Sequence, residues 1–381
     1  MTDQPPAPRS TNRTEDILRD LVAFPSVTGD YAANHAAIEY IDRFLRGRGM
    51  LVQRFAWDNV ESLVATTRPT KTPAVFLMGH IDVVTAPSHL FKLEHRDGKY
   101  IGRGVLDMKG PVAAYLGTVN ALAPHLADYN FGIMVTTDEE VGGLHGAAKL
   151  AEAGYGAHAM VVTDGTPDWS MERLAKGIWH FTVETTGRSA HGSRPWEGEN
   201  AIDKLVAVIA DIKALFPEQS PDTNTMNVGV IGGGHATNQI PAAASANLDL
   251  RFVSVADQHR LTRQVLDIVE RHGATLTYTV KADAVESDPA NPYLAAYVAC
   301  TERVIGRPVK WVTSNAASDA RWFALRGIPC AVSYPRGGDH HGPSEWIGDE
   351  TLAQMEQIYG AFLHNIARVR KSAGRHAALT R

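Results

Sequence analysis

Apolar positions recur along this chain with two periods, and their alternation outlines a fold. Ile17, Leu18, Leu21 and Val22 form a helical stripe behind Thr14, Glu15 and Asp16, which predicts a helix capped at Thr14 with acids in its first turn. Ile38, Ile41, Phe44 and Leu45 predict a second helix over 33–47, ended by Gly47 and Gly49. Runs at 51–56, 62–66 and 74–79 read as strands, and a helix is expected over 108–122. The run FGIMVTT at 131–137 has the continuous apolar character of a strand buried on both faces. A short helix over 145–153 and the strand AMVVTD at 159–164 follow. Strands alternating with helices imply α/β layers around a mixed, mainly parallel sheet flanked by helices.

Between 178 and 284 the order changes to strand, helix, strand, strand, helix, strand, a βαββαβ unit of the ferredoxin-like kind. Helices over 292–306, 318–326 and 349–370 and strands near 309–312 and 329–334 then resume the first pattern. The expectation is two domains, one discontinuous over 1–177 and 285–381 with residues 1–12 as a disordered tail, the other inserted at 178–284. A chain of 381 residues exceeds what one core usually serves, which agrees with that division.

Composition narrows the function. With 44% hydrophobic and 21% charged residues the chain reads as globular, and a net charge of -5 offers no basic face to nucleic acid or an acidic membrane. Nothing approaches the roughly 20 apolar residues of a membrane span. The N-terminal MTDQPPAPRSTNR is polar and Pro-rich, unlike a secretory signal. Cys300 and Cys330 suggest buried thiols in a reducing compartment, so a cytoplasmic protein acting on a small molecule is expected.

The candidate chemistry lies at strand ends. AVFLMGHIDVV carries His80 and Asp82 at the end of an apolar strand, where ionisable groups are costly unless paired or metal-bound; a self-satisfied polar pair is the plain alternative. GRGVLDMKGP places Asp107 in a Gly-rich turn before a helix, and read alone that aspartate also fits a helix cap. FGIMVTTDEEVGG ends in Asp138, Glu139 and Glu140, which repel one another unless a cation is present, although charged loops are common. AMVVTDGTP repeats the arrangement with Asp164, and YPRGGDHHGPSEW puts His340 and His341 in a loop after another apolar strand. Open α/β sheets bind ligands at that edge, and this mixture of His and carboxylates suits zinc or a similar metal, two ions better than one.

With these five motifs in order, the chain from about 14 to 370 resembles the metal-dependent aminoacylase and carboxypeptidase family. That family includes acetylornithine deacetylase, succinyl-diaminopimelate desuccinylase, glutamate carboxypeptidase and several di- and tripeptidases. The resemblance implies two divalent ions, zinc first with cobalt or manganese as alternatives. It makes His80 a ligand with Asp82 as its support, Asp107 a bridge followed by a cis peptide, Glu140 a ligand of the second ion, and Asp164 a ligand beside His80. His341 rather than His340 completes the set, because the family's ligand is followed four residues later by a glutamate, here Glu345. Glu139 takes the role of general base. In the inserted lid and dimerisation domain, His191 would help hold the substrate carbonyl, often across a homodimer interface, and Asn238 and Arg251 match substrate-binding positions. Without the family, His191 reads as a loop histidine and Arg251 as a surface charge. The implied reaction is hydrolysis of the amide of an N-acyl amino acid, with di-/tripeptidase or carboxypeptidase activity on a short peptide still open. Asp164 is followed by Gly165 and Thr166 where many relatives have a glutamate followed by Pro-Thr or Pro-Ser, which leaves the subfamily open.

Two other readings compete. An inactive metal-binding relative would lack turnover, although Glu139 and His191 are both present. A dinucleotide-dependent oxidoreductase is disfavoured because GRGVLDMKG lacks the third glycine of the fingerprint and an acid about 20 residues on.

Overall fold

Successive residues of the central strands serve opposite layers. Leu63, Ala65, Val75, Leu77, Ile133, Val135 and Val161 join one buried cluster, while their neighbours Val64, Phe76, Met78, Met134, Met160 and Val162 join another. Period-two alternation with both faces covered is why these segments read as unbroken apolar runs. Each such valine, leucine, isoleucine, phenylalanine or methionine contributes on the order of 1.5–3 kcal/mol on burial. This computed structural model describes residues 13–165, 168–315 and 317–376, with side chains to 365, so the tail expected over 1–12 lies outside the described residues.

The central sheet has six strands in the order Leu51–Trp57, Val60–Thr66, Phe131–Thr136, Val75–His80, Ala159–Val162, Cys330–Val332. The last four run parallel and the first two pair antiparallel, so the sheet is mixed and mainly parallel. On packing, the chain divides into one unit of Met1–Arg173, Ser287–Val312 and Ala317–Arg381 and another of Leu174–Glu286 with Thr313–Ala316. In the second unit, strands Gly177–Thr186, Thr225–Gly233, Ala243–Phe252 and Thr275–Ala282 form an antiparallel sheet with the helices Ala201–Lys213 and Val255–Arg271 between them in sequence. Trp179, Phe181 and Val183 face Leu205, Val208, Leu261 and Val265 in its core, and the intervening strand residues are more exposed.

Several boundaries differ from the pattern. Thr14 is not a cap: it is the first residue of the helix Thr14–Val22, with Arg13 at the cap position. Its side chain is buried instead, against Gly117, where a methyl group would come within 2.0 Å of Thr14 Oγ1. The second helix is Tyr31–Arg46 and takes its cap from Asp30, whose carboxylate accepts the Ala33 N–H. Strand pairing at 159–164 stops at Val162, which frees Thr163 and Asp164 from the ladder. The helix expected over 145–153 shortens to Ala147–Glu152, because the positive-φ Gly142 and Gly143 turn the chain first.

One small sheet escaped the pattern entirely. Strands Glu94–Arg96, Lys99–Ile101, Gly337–Gly338 and Trp346–Gly348 pair antiparallel, and each is too short to display a period. Trp346 opposite Ile101 fixes the register, and this brings the histidine loop beside the 102–107 turn.

Candidate metal centre

The four parallel strands all deliver their C-terminal ends to one edge, so the segments after them converge. His80 ends its strand, Asp82 lies two residues on, Glu139 and Glu140 form a short 3-10 turn after Thr136, and Asp164 follows Val162. Gly79 makes room: a Cβ there would sit 2.7 Å from Met108 Cε, so the Met108 side chain packs directly over the strand beside His80. The Asp107–Met108 peptide is cis.

Asp107 is the hub. Its Oδ1 lies 2.9 Å from His80 Nε2, and its Oδ2 lies 2.5 Å from His340 Nε2 and 3.1 Å from His341 Nε2. His341 Nε2 is also 3.2 Å from Glu140 Oε2, while His80 Nε2 is 3.9 Å from both Glu139 and Asp164. Two ligand groups result, Asp107 with His340 and His341, and His80 with Glu139 and Asp164, the ligand atoms of each lying within 4.8 Å of one another. Beneath them Asp82 is fully buried. Its Oδ1 lies 3.4 Å from His80 Nδ1, its Oδ2 accepts the Thr28 hydroxyl at 2.8 Å, and its two oxygens accept the Glu139 and Glu140 N–H groups at 3.3 Å each.

Four carboxylates in this space outweigh the positive charge available. Burial, followed by the charge of Asp164, holds Glu139 well above the carboxylate range. Asp164, buried and near Asp107, is pushed up to about 7. Burial opposes the charged form of His80, but its hydrogen bonds to Asp107 and Asp82 outweigh it and raise the imidazole well above its ordinary value. The hydrogen bond to Asp107, then that to Glu140, raises His341 to about 10. A set of imidazole nitrogens and carboxylate oxygens with this imbalance, buried at His80, Asp107 and Asp164 and open to solvent at His340 and His341, fits divalent cations of the zinc type.

A second set of contacts builds the scaffold. Glu345 is fully buried and accepts the N–H groups of Gly104, Leu106 and Asp107 at 2.9, 2.8 and 3.0 Å, together with Arg103 Nη1 at 2.8 Å. Arg103 Nη2 donates in turn to the carbonyls of His341 and Gly342 at 3.0 and 3.1 Å. The hydroxyl of Tyr334 donates to Asp164 and lies 3.2 Å from His340 Nε2. Sequence reasoning missed Arg103, Thr28 and Tyr334 as contributors and set His340 aside. Tyr334 alone left a signal, as the polar end of an apolar run. Partners such as Arg103 and Thr28 become legible only once the loops are folded.

The remaining expected residues lie in the second unit. His191 Nδ1 accepts the Ser193 N–H at 3.2 Å and lies 2.9 Å from its hydroxyl. The backbone carbonyl of Asn238, in a turn, accepts the Gly192 N–H at 2.7 Å, so His191 and Asn238 share one corner of that unit. Arg251 is held by Asp249, at 2.7 Å from Nε and 3.1 Å from Nη2, with His180 3.1 Å from the same carboxylate.

Curated relatives and solved structures resemble this chain along most of its length. The chain is 28% identical over 384 residues to succinyl-diaminopimelate desuccinylase of Rickettsia felis, covering 92% of this chain and 99% of that protein. It is 28% identical over 386 residues to the protein of that name from Gluconacetobacter diazotrophicus, covering 92% and 96%. A tripeptidase from Staphylococcus aureus superposes with a TM-score of 0.80 at 20% identity, over 93% of this chain and 98% of that one. A metallo-carboxypeptidase from Sulfolobus solfataricus does so with a TM-score of 0.74 at 14% identity, over 94% and 100%. The model of Peptidase family M20/M25/M40 matches residues 76–365, a span that runs from the strand of His80 past both histidines of the loop, and the chain belongs to that family.

Proposed function

We propose that this protein hydrolyses the amide bond of N-acyl amino acids at a centre of two divalent ions, zinc in the first instance. The observation that carries the reading is the convergence of His80, His340 and His341 on the single carboxylate of Asp107, with Glu140 against His341 and Glu139 and Asp164 near His80. His80, Asp107 and Asp164 would hold one ion, and Asp107, Glu140 and His341 the other, with His340 available beside them. Bound divalent ions supply an activated water at neutral pH and polarise a carbonyl. Glu139 would accept a proton from the attacking water as its oxygen bonds to the acyl carbon and pass it to the nitrogen as the C–N bond breaks, giving a carboxylic acid and an amine that exchange a proton to leave as carboxylate and ammonium. Asp82 supports this by fixing both the ring of His80 and the backbone of Glu139. No covalent acyl-enzyme is needed.

The relatives named succinyl-diaminopimelate desuccinylase, covering 92% of the chain, favour an N-succinyl or similar N-acyl amino acid as substrate. We read the second unit as an inserted ferredoxin-like lid and dimerisation domain, from its βαββαβ order. Its outer strand Thr225–Gly233 leaves Val230 and Ile231 exposed, an edge that a second copy would cover. In that domain His191, whose Nδ1 accepts the Ser193 N–H, would donate from Nε2 to a substrate carbonyl, and Asn238 and Arg251 would meet the rest of the substrate. Buried free thiols at Cys300 and Cys330 fit the cytoplasm, and no helix among the described residues is long and apolar enough to cross a membrane.

The test is turnover by the purified, metal-loaded protein on acetyl-, succinyl- and formyl-amino acids beside a dipeptide panel. Hydrolysis of an N-acyl amino acid that ceases with chelator and returns with zinc, cobalt or manganese is expected. Activity confined to dipeptides would replace deacylase by peptidase, and none on either would defeat the proposal.

A further inference from the structure

Asp319 takes no part in the reaction above, yet its side chain is only 4% exposed and packs against the segment that carries Glu139 and Glu140. Its Oδ2 accepts the hydroxyl of Thr136, at the end of the strand leading into that segment, at 2.8 Å. Its Oδ1 lies against Gly143, where an added methyl group would come within 1.9 Å of it. Three residues on, Trp322 Nε1–H donates to the Gly142 carbonyl at 3.2 Å. Gly142 and Gly143 have φ of 103° and 65°, so this turn is one that residues with side chains rarely adopt, and it needs an external wall to hold it. Asp138 lines the inner side. Its Oδ2 accepts the N–H groups of His145 and Gly146 at 2.8 and 3.1 Å, and its Oδ1 is buried without a hydrogen-bond partner among the described residues.

We propose that Asp319 is a positioning residue, which acts through the Gly142–Gly143 turn to fix the loop from Asp138 to Gly146 and thereby the places of Glu139 and Glu140. Buried carboxyl groups that feel one another's charge repel unless one retains its proton. Burial and then the charge of Asp138 push Asp319 up to about 8, so at neutral pH it serves as an uncharged wall. An asparagine has the same shape, keeps an acceptor for Thr136 and offers an N–H to the unpartnered side of the cluster. An alanine keeps none of these. For its effect on turnover the inference rests on the proposed role of Glu139; for its effect on the loop it does not.

Amide hydrogen exchange on the metal-loaded full chain reads the loop directly, and kcat, KM and metal content read the consequence. In Asp319→Ala the amides of His145 and Gly146 should exchange about tenfold faster or more, with kcat per bound metal down about tenfold at nearly constant KM. Asp319→Asn should stay within about threefold of wild type in both. Should the alanine variant fail to fold, Trp322→Phe removes the donor to Gly142 and should move loop exchange and kcat in the same directions by less. Unchanged loop exchange in Asp319→Ala, a kcat loss that only tracks lost metal, or an asparagine variant as damaged as the alanine one would overturn the proposal. If the wild type turns over none of the substrates, the functional reading falls, and faster exchange in alanine restored in asparagine still supports the role of Asp319.

Discussion

Glu345 and Asp107 are joined through the backbone, the Oε1 of Glu345 accepting the Asp107 N–H at 3.0 Å across 238 positions of chain. The same carboxylate carries Arg103, whose guanidinium holds the carbonyls of the histidine loop. Both partners are buried, with side chains 0% and 3% exposed. Removing one therefore strands a charge away from water. Glu345→Ala should cost about 3–5 kcal/mol in denaturant unfolding, as for other broken buried pairs. It should also weaken zinc binding by about 10–100-fold, because the loop carrying Asp107 loses its anchor. A loss of stability below about 1 kcal/mol, the range of exposed pairs, would show that the pair does not carry the scaffold.

Glu139 separates chemistry from ligation. It is the one carboxylate of the cluster assigned to proton transfer, and Glu139→Gln keeps its size while abolishing its basicity. Turnover should fall by about 10²–10⁴ while metal content measured by elemental analysis is retained. A variant that loses activity only as far as it loses metal would make Glu139 a ligand instead, a possibility its grouping with His80 and Asp164 makes worth measuring.

The contrast between what the sequence discloses and what it conceals follows from separation along the chain. His80, Asp107, Glu140, Asp164 and His341 were legible because each polar residue closes an apolar strand or sits in a glycine-bounded turn, and local contrast survives in one dimension. The central strands were legible for the same reason, since burial on both faces leaves an apolar run. Thr14 misled because its polarity suited a cap, whereas the space beside Gly117 decides its role. Arg103, Thr28 and Asp319 left no local mark at all. Their importance lies in partners as far away as Glu345, Asp82 and Thr136, and no period encodes those.

His340 and His341 both reach Asp107 Oδ2, but only His341 also reaches Glu140. His340 shares its Nε2 with the Tyr334 hydroxyl, which makes it a neighbour of the Asp164 side. His341→Ala is therefore expected to remove one of two ions per chain at ordinary dialysis concentrations, and His340→Ala to leave two with turnover reduced. Metal stoichiometry of the two variants decides the matter. The reverse outcome would transfer the ligand role to His340 and detach it from the spacing to Glu345.

Metal loading should release protons. In the metal-free centre His341 is held at about 10, His80 well above its ordinary range and Asp164 at about 7, so at pH 7 the first two carry protons and the third is half protonated. Coordination requires all three without them, so the equilibrium favours the ion more strongly as pH rises from 6 to 8. The stability of the metal-free chain runs the other way. Groups raised above their unfolded values stabilise fully below the unfolded pKa, near 6.5 for histidine, and lose that contribution as pH climbs through the folded value. Calorimetry of zinc binding at pH 7 in two buffers of different ionisation enthalpy should give different apparent heats, with net proton release. Thermal scans of chelated protein should fall in midpoint between pH 7 and 10 while the loaded protein holds. Equal heats in both buffers would mean that the imidazoles are already neutral and that the carboxylates of Asp107 and Glu140 do not charge them.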